Sequence, residues 1–351
     1  MRLGSKKWTG LDDIVENRFL NRWETLLSRH PSQVNGLHEA DAELLAIDEQ
    51  TLLASTIDTI SEEISSGLYS TPETIGWVAA MASLSDLAAV GAAPLGLLSA
   101  VTLPMSASDE FADGIGRGLE GACRRIQTYM LGGDTNRAHC ASVTVCAIGT
   151  LKADLQLTRV GAKQGDLVFS TGLLGQGAGM AARVLLARDG GRTADCDFRP
   201  VARIREAALA RPFTTACMDT SDGLIATLDQ LSRLNGARID ISAQPASLLC
   251  AETKAVSEAM KLPPLTLLSG HHGEFELVFI VLAAKSDEFI RTMQNSGCNP
   301  ILIGRIETGT GVSVSGRDLP TAKIRNLYEE NKGDLQKYVK ELIALTVLNQ
   351  T

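Results

Sequence analysis

Asp219 and Asp222 stand three positions apart in A-C-M-D-T-S-D-G-L (216–224), where a strand-like apolar run closes and a helix opens. A lone D-x-x-D is weak, because Asp also caps helices and makes turns for structural reasons. More aspartates sit in comparable places. Asp58 ends the run T-L-L-A-S-T-I-D (51–58), Asp41 precedes a strand-like run in H-E-A-D-A-E-L-L-A-I, and Asp134 follows two glycines in L-G-G-D-T-N-R-A. Each of these reads singly as a turn former. Asp86 is different, since S-L-S-D-L-A-A-V-G-A places it inside a helix of small apolar residues, where an unpaired buried charge is costly or shifts its pKa. Together the six suit a hard cation: Mg²⁺ takes oxygen ligands and keeps waters and substrate phosphates in its shell. Carboxylates around Mg²⁺ let an acidic protein hold ATP.

The elements that must carry these groups alternate along the chain. The first forty residues read as a helical lead-in, and 51–58 as a strand. Thr71 and Pro72 predict an N-cap and first helical position, with the apolar helix stopping near Gly91. P-L-G-L-L-S-A-V-T-L-P follows as a strand, S-A-S-D-E-F-A-D-G-I-G-R-G-L-E-G-A-C-R-R-I-Q-T-Y-M as a capped helix, L-G-G-D-T-N-R-A as a loop and S-V-T-V-C-A-I-G-T-L as a strand. After Lys152 the pattern restarts. Helices are expected over 176–188, 201–211, 222–235, 251–260 and 286–296, strands near 166, 214, 237, 275 and 300, and a C-terminal amphipathic helix in D-L-Q-K-Y-V-K-E-L-I-A-L-T-V-L. The fold class is therefore α/β (α+β) in two domains, 39–152 with a mixed sheet and 153–320, with a lead-in at 1–38 and a helical extension at 321–351.

A chain of 351 residues fits two cores. No apolar run reaches a membrane span, and M-R-L-G-S-K-K-W-T-G-L-D-D lacks the apolar core of a secretory signal, so no membrane partner and a cytoplasmic location are expected. The seven cysteines are scattered singly without a C-x-x-C pair, including Cys196, which predicts neither a disulfide frame nor a zinc site. A net charge of −8 argues against nucleic acid as a partner. There is no G-x-x-x-x-G-K-[ST], and G-L-L-G-Q-G-A-G (172–179) reads as a loop that packs closely or helps cradle phosphate. Arg137, Arg159 and Lys163 are each either phosphate contacts or surface cations.

The strings T-P-E-T-I-G-W-V-A-A-M-A-S-L-S-D-L-A-A-V-G-A-A-P, L-G-G-D-T-N-R, L-T-R-V-G-A-K-Q-G-D-L-V-F-S-T-G, M-D-T-S-D-G-L and, less well, G-H-H-G-E-F-E-L-V-F resemble the thiamine-monophosphate kinase family, within the group that includes aminoimidazole ribonucleotide synthetase. The resemblance implies a two-domain synthetase-like fold that dimerises through its N-terminal sheet, and an ATP site between the domains. It places Mg²⁺ on Asp41, Asp58, Asp86, Asp134, Asp219 and Asp222, and ATP on Gly133, Asp134, Thr135, Arg137, Arg159 and Ser221. The implied reaction is ATP-dependent phosphorylation of thiamine phosphate in thiamine biosynthesis, by a cytoplasmic homodimer.

The substrate side departs from the pattern. The family's G-D-D is Glu39-Ala40-Asp41 here, Ser65 stands near the place of a substrate-contacting His, and G-E-D-Y-E-L becomes H-G-E-F-E-L. The family's substrate Glu thus falls on Gly273 unless Glu274 takes its role, and none of Trp8, Trp23 and Trp77 matches the family's C-terminal aromatic. Ser65, His271, His272 and Glu274 are the candidate acceptor contacts, and Asp219, Asp222, His272 and Glu274 the candidate catalytic groups. His271 and His272 read either as a solvated loop pair or as a general base or anion contact with a pKa near neutrality. The acceptor stays open between thiamine phosphate and another small metabolite. Two other readings remain: an ATP-dependent ligase or cyclase, and a nucleotide-binding paralogue with weak turnover.

Overall fold

The computed structural model describes residues 10–186 and 198–347. Trp8, Cys196, the last two positions of the helix expected over 176–188 and the ends of the 1–38 and 321–351 segments lie outside the described residues.

The first half opens with α1 (Val15–Glu24), β1 (Glu43–Ala46), β2 (Thr51–Thr59), α2 (Ser61–Ser65) and α3 (Pro72–Ala89). It continues with β3 (Ala93–Pro104), α4 (Asp109–Ile126), β4 (Met130–Ala138) and β5 (Ser142–Lys152). The five strands form one sheet in the order β1-β2-β5-β3-β4, antiparallel except for β3 and β4, which run parallel across the α4 crossover. L-G-G-D-T-N-R-A is thus a strand rather than the expected loop. Its glycines and polar residues suit an edge strand, which pairs on one side and needs no apolar face.

Strand periodicity divides β2: Leu52 and Ala54 are buried towards α3, whereas Ile57 is exposed. α3 has no polar face because it is enclosed, with Ile75, Val78, Met81, Leu84 and Leu87 all buried. The opposite face of the sheet is open and carries exposed Ile57, Leu95, Leu98 and Leu131.

The second half contains β6 (Leu167–Ser170), α5 (Gln176–Leu186), α6 (Ile204–Ala210), β7 (Thr214–Asp219), α7 (Leu224–Asn235) and β8 (Arg238–Ile241). Then come α8 (Pro245–Leu248), α9 (Ala251–Met260), α10 (Pro264–Leu268), β9 (Leu277–Val281), α11 (Ser286–Asn295) and β10 (Ile301–Glu307). β11 (Gly311–Val314), β12 (Arg317–Asp318), α12 (Thr321–Glu330) and α13 (Leu335–Thr346) complete it. The sheet order is β12-β11-β8-β10-β6-β9-β7. β9 is apolar throughout because both faces are covered: Val278 and Ile280 join the core beneath α7 and α10, and Leu277, Phe279 and Val281 join a second one with Phe289 and Met293 of α11. Ala88 and Ala89 of α3 enter that second core, so the two halves share packing.

The C-terminal extension is two helices, not one. It is fastened by Asp229 of α7, a buried carboxylate that accepts from Thr321 Oγ1 at 2.6 Å, Arg233 Nε at 2.8 Å and Arg325 Nη1 at 3.1 Å. No helix among the described residues is long and apolar enough to cross a membrane. Asp229→Ala leaves two guanidiniums short of a partner, and breaking such a buried pair costs about 3 kcal/mol. Urea unfolding should show a loss of that order, and an unchanged midpoint would mean that this cluster does not hold the extension.

Candidate active site

Three elements and one loop converge on a group of carboxylates. Even-numbered residues of β2 face α3, so Thr56 and Asp58 point to the side where α3 presents Asp86. Thr56 Oγ1 donates to Asp86 Oδ2 at 2.6 Å. β7 ends on Asp219, which accepts from Ser85 Oγ of α3 at 2.7 Å and from Ser221 Oγ at 3.0 Å. Asp41, just before β1, receives Arg159 Nη2 at 3.0 Å. Oxygen atoms of Asp41, Asp86 and Asp219 all lie within 4.8 Å of one another.

This crowding is electrostatically unfavourable. Burial, then the charges of Asp58, Asp219 and Asp41, raises the Asp86 carboxyl well above its ordinary value. Burial and Asp41 push Asp219 up to about 7, and burial also raises Asp58. Buried Oδ2 atoms of Asp41 and Asp58 have no hydrogen-bond partner among the described residues. An all-oxygen set with unused lone pairs and excess negative charge fits a hard divalent cation such as Mg²⁺.

The carboxylates open into a cavity of about 310 Å³. Asp41, Asp58, Asp86, Arg159, Ser221, Asp222, His271 and His272 line it, with Asp219 buried beside them. Glu16, His38, Glu63, Tyr69, Phe275 and Arg325 also line it and were not singled out in the sequence. Glu16 and Arg325 come from the lead-in and extension helices, where the one local sign was a polar residue on an inward position, as at Asn17, which bonds Gln230 at 3.1 Å. Gly133, Asp134, Thr135 and Arg137 are not brought in. They are exposed on edge strand β4, three strand spacings or roughly 14 Å from β2, and Arg137 is spent on the carbonyls of Pro104 and Ala107. Lys163 does not line the cavity either.

Residues 39–151 match the family model described as AIR synthase related protein, N-terminal domain. The thiamine-monophosphate kinase of Archaeoglobus fulgidus is 32% identical over 265 residues, covering 74% of this chain and 80% of that protein. The chain belongs to the thiamine-monophosphate kinase family. Membership makes it an ATP-dependent phosphotransferase. The Aquifex aeolicus thiamine-monophosphate kinase is 26% identical over 275 residues, 76% of this chain and 85% of that one. Among solved structures, AaThiL complexed with AMPPCP and TMP superposes with a TM-score of 0.72 at 24% identity, covering 87% of this chain and 94% of that one. The Thermus thermophilus protein tt0281 does so with a TM-score of 0.73 at 26% identity, covering 86% and 97%.

The altered H-G-E-F-E-L string of this thiamine-monophosphate kinase family member puts a glycine where the backbone packs tightly on the Thr220 turn. A side chain at Gly273 would meet the carbonyl of Thr220 at 1.5 Å, and the Gly273 amide donates to the Ser221 carbonyl at 2.8 Å. No Glu fits at position 273. Glu274 does not take the vacated role, because it is buried outside the cavity, accepting from Thr220 Oγ1 at 3.0 Å and from the Gly175 amide at 2.7 Å. The 172–179 loop packs against the same segment: a Cβ at Gly177 would lie 2.0 Å from the Gly273 carbonyl.

Ser65 is also misplaced as an acceptor contact, being exposed on α2 and bonded to the Glu62 carbonyl. His272 is no solvated loop residue, since its Nε2 lies 2.6 Å from Tyr69 Oη and its ring packs against Tyr69 and Phe198. Burial, reinforced by His271, lowers it to about 4, so it is neutral near pH 7 and a weak general base.

Burial and then Glu276 push the Glu274 carboxyl from its ordinary 4.5 up to about 8. The folded state therefore retains a proton that the unfolded chain releases. This stabilisation is complete below pH 4.5, declines as pH rises and is gone above about 8. Glu274→Gln should remove that slope, so the wild-type minus variant stability should fall across this interval in urea unfolding at stepped pH. Parallel profiles would show that Glu274 does not titrate there.

Proposed function

We propose that this protein transfers the γ-phosphoryl group of ATP to thiamine phosphate, forming thiamine diphosphate and ADP. The observation that carries the reading is the meeting of Asp41, Asp86 and Asp219 within 4.8 Å against the wall of one cavity, in a chain related to kinases named for this acceptor.

Asp41, Asp58, Asp86, Asp219 and Asp222 would hold Mg²⁺. When bound, Mg²⁺ neutralises the phosphate charge and orients the transferred group. Arg159 is fixed by Asp41 and lines the cavity, so its guanidinium supplies a positioned cation for a phosphate oxygen. Ser221 supplies a hydroxyl beside Asp219, on the turn that starts α7. An acceptor phosphate monoester is already largely ionised near neutral pH, so the reaction needs positioning more than a strong base. A neutral His272 is consistent with that demand: it donates or accepts one hydrogen bond through Tyr69 and walls the cavity. Glu274 then acts beneath the site, holding the Thr220 turn to the Gly175 loop.

The open face of the first sheet supports a homodimer. Ile57, Leu95, Leu98 and Leu131 together form an exposed apolar surface of the kind that marks an interface. Scattered free thiols such as Cys123 and Cys217 suit a reducing cytoplasm.

Phosphorus NMR of protein incubated with Mg-ATP and thiamine phosphate should show thiamine diphosphate forming at a catalytic rate; ATP bound without that product would reject the acceptor. Asp86→Asn and Asp222→Asn should each reduce ADP formation by about 10³-fold or more with circular dichroism unchanged, the scale of losing charge stabilisation at a transferring group. Near-normal turnover in either would remove its carboxylate from the metal set. Ile57→Glu with Leu131→Glu should convert a dimer into a monomer in sedimentation velocity, and a wild-type monomer would dismiss the assembly.

A further inference from the structure

A second cavity of about 120 Å³ adjoins the carboxylate cavity and shares Glu63, His271 and His272 with it. These three residues form the wall common to both. Its walls are aliphatic, from α5, α10 and α13, and its lining holds no lysine or arginine among the described residues. Aromatic rings close one side: His271 stacks on Tyr328 at 4.7 Å, and Tyr328 meets Tyr338 edge to face at 5.7 Å. Both tyrosines belong to the C-terminal extension.

Glu63 stands where the cavities meet. Its Oε2 is buried without a hydrogen-bond partner, whereas neighbouring Glu62 is engaged with Lys332 at 3.2 Å. The Glu63 backbone is pinned, its carbonyl accepting from the amides of Leu68 at 2.9 Å and Tyr69 at 3.2 Å. A buried carboxylate with a free oxygen, set among aromatic faces and aliphatic walls, suits a flat organic cation. An anionic group has no counter-charge there.

We propose that Glu63 is the specificity residue that reads a positive charge on the acceptor: the acceptor's phosphate lies among the aspartates, and its cationic aromatic ring lies in the cavity closed by Tyr328 and Tyr338. This rests on the phosphotransferase reading for the direction in which the acceptor lies. Burial also holds the Glu63 carboxyl above its ordinary value, a state that an adjacent cation reverses.

The test is calorimetric binding of thiamine phosphate against 3-deazathiamine phosphate, in which a thiophene carbon replaces the charged thiazolium nitrogen without changing shape. Wild type should prefer the cation by about tenfold or more, and Glu63→Gln should reduce that preference to about twofold, the scale of one charge-assisted contact. Circular dichroism checks that the variant is folded. Equal affinity of wild type for both ligands, binding of neither, or a preference that survives in Glu63→Gln overturns the proposal. A Glu63-dependent preference without formation of thiamine diphosphate supports the proposal while rejecting the phosphorylation reading.

Discussion

Four crowded carboxylates, one buried and three half-buried, are the constraint around which the rest is arranged. Asp41, Asp58, Asp86 and Asp219 crowd together, and burial first, with neighbouring charges second, raises the last three above their ordinary values. The fold holds them by means other than attraction. β2 and α3 are locked by apolar packing, and small hydroxyls at Thr56, Ser85 and Ser221 absorb part of the charge. Only Arg159 meets a member of the group with a formal ion pair among the described residues. A site assembled in this way is strained in proportion to its readiness for a cation.

Asp86 was legible because it broke a local pattern, and Asp41, Asp58 and Asp219 through their recurrence at the ends of apolar runs. Asp86 interrupts an apolar helix, Asp58 and Asp219 close apolar strands, and such conflicts between a residue and its surroundings survive in a one-dimensional reading. The helices and most strands were legible for the same reason, through periodicity. β4 was not, because an edge strand without a buried face has no alternation to detect. Glu63 and Arg325 were hidden for another reason: their place in the site depends on how α2 and α12 dock, and docking leaves no local signature. The histidine pair divides between its two readings: His271 is exposed and stacks on Tyr328, whereas His272 turns inward to Tyr69.

The contact between residues 220–223 and 270–273 explains a departure that looked like lost function. Gly273 sits against the Thr220 carbonyl at a distance that tolerates no side chain. The two loops are therefore packed directly together, with Glu274 bonded to both the Thr220 turn and the Gly175 loop. The glycine lets this loop pack directly on the turn that carries Ser221 and Asp222, both of which line the cavity.

Asp41 and Asp219 meet across 178 positions of sequence. During synthesis the first sheet, with α3 and its Asp86, leaves the ribosome long before β7 exists. Until then the partial chain presents its acidic residues to solvent, where they are hydrated and relaxed rather than crowded. Closing so long a loop is also slow relative to forming helices and hairpins. The meeting of Asp41, Asp86 and Asp219 is therefore complete only once β7 docks beside α3.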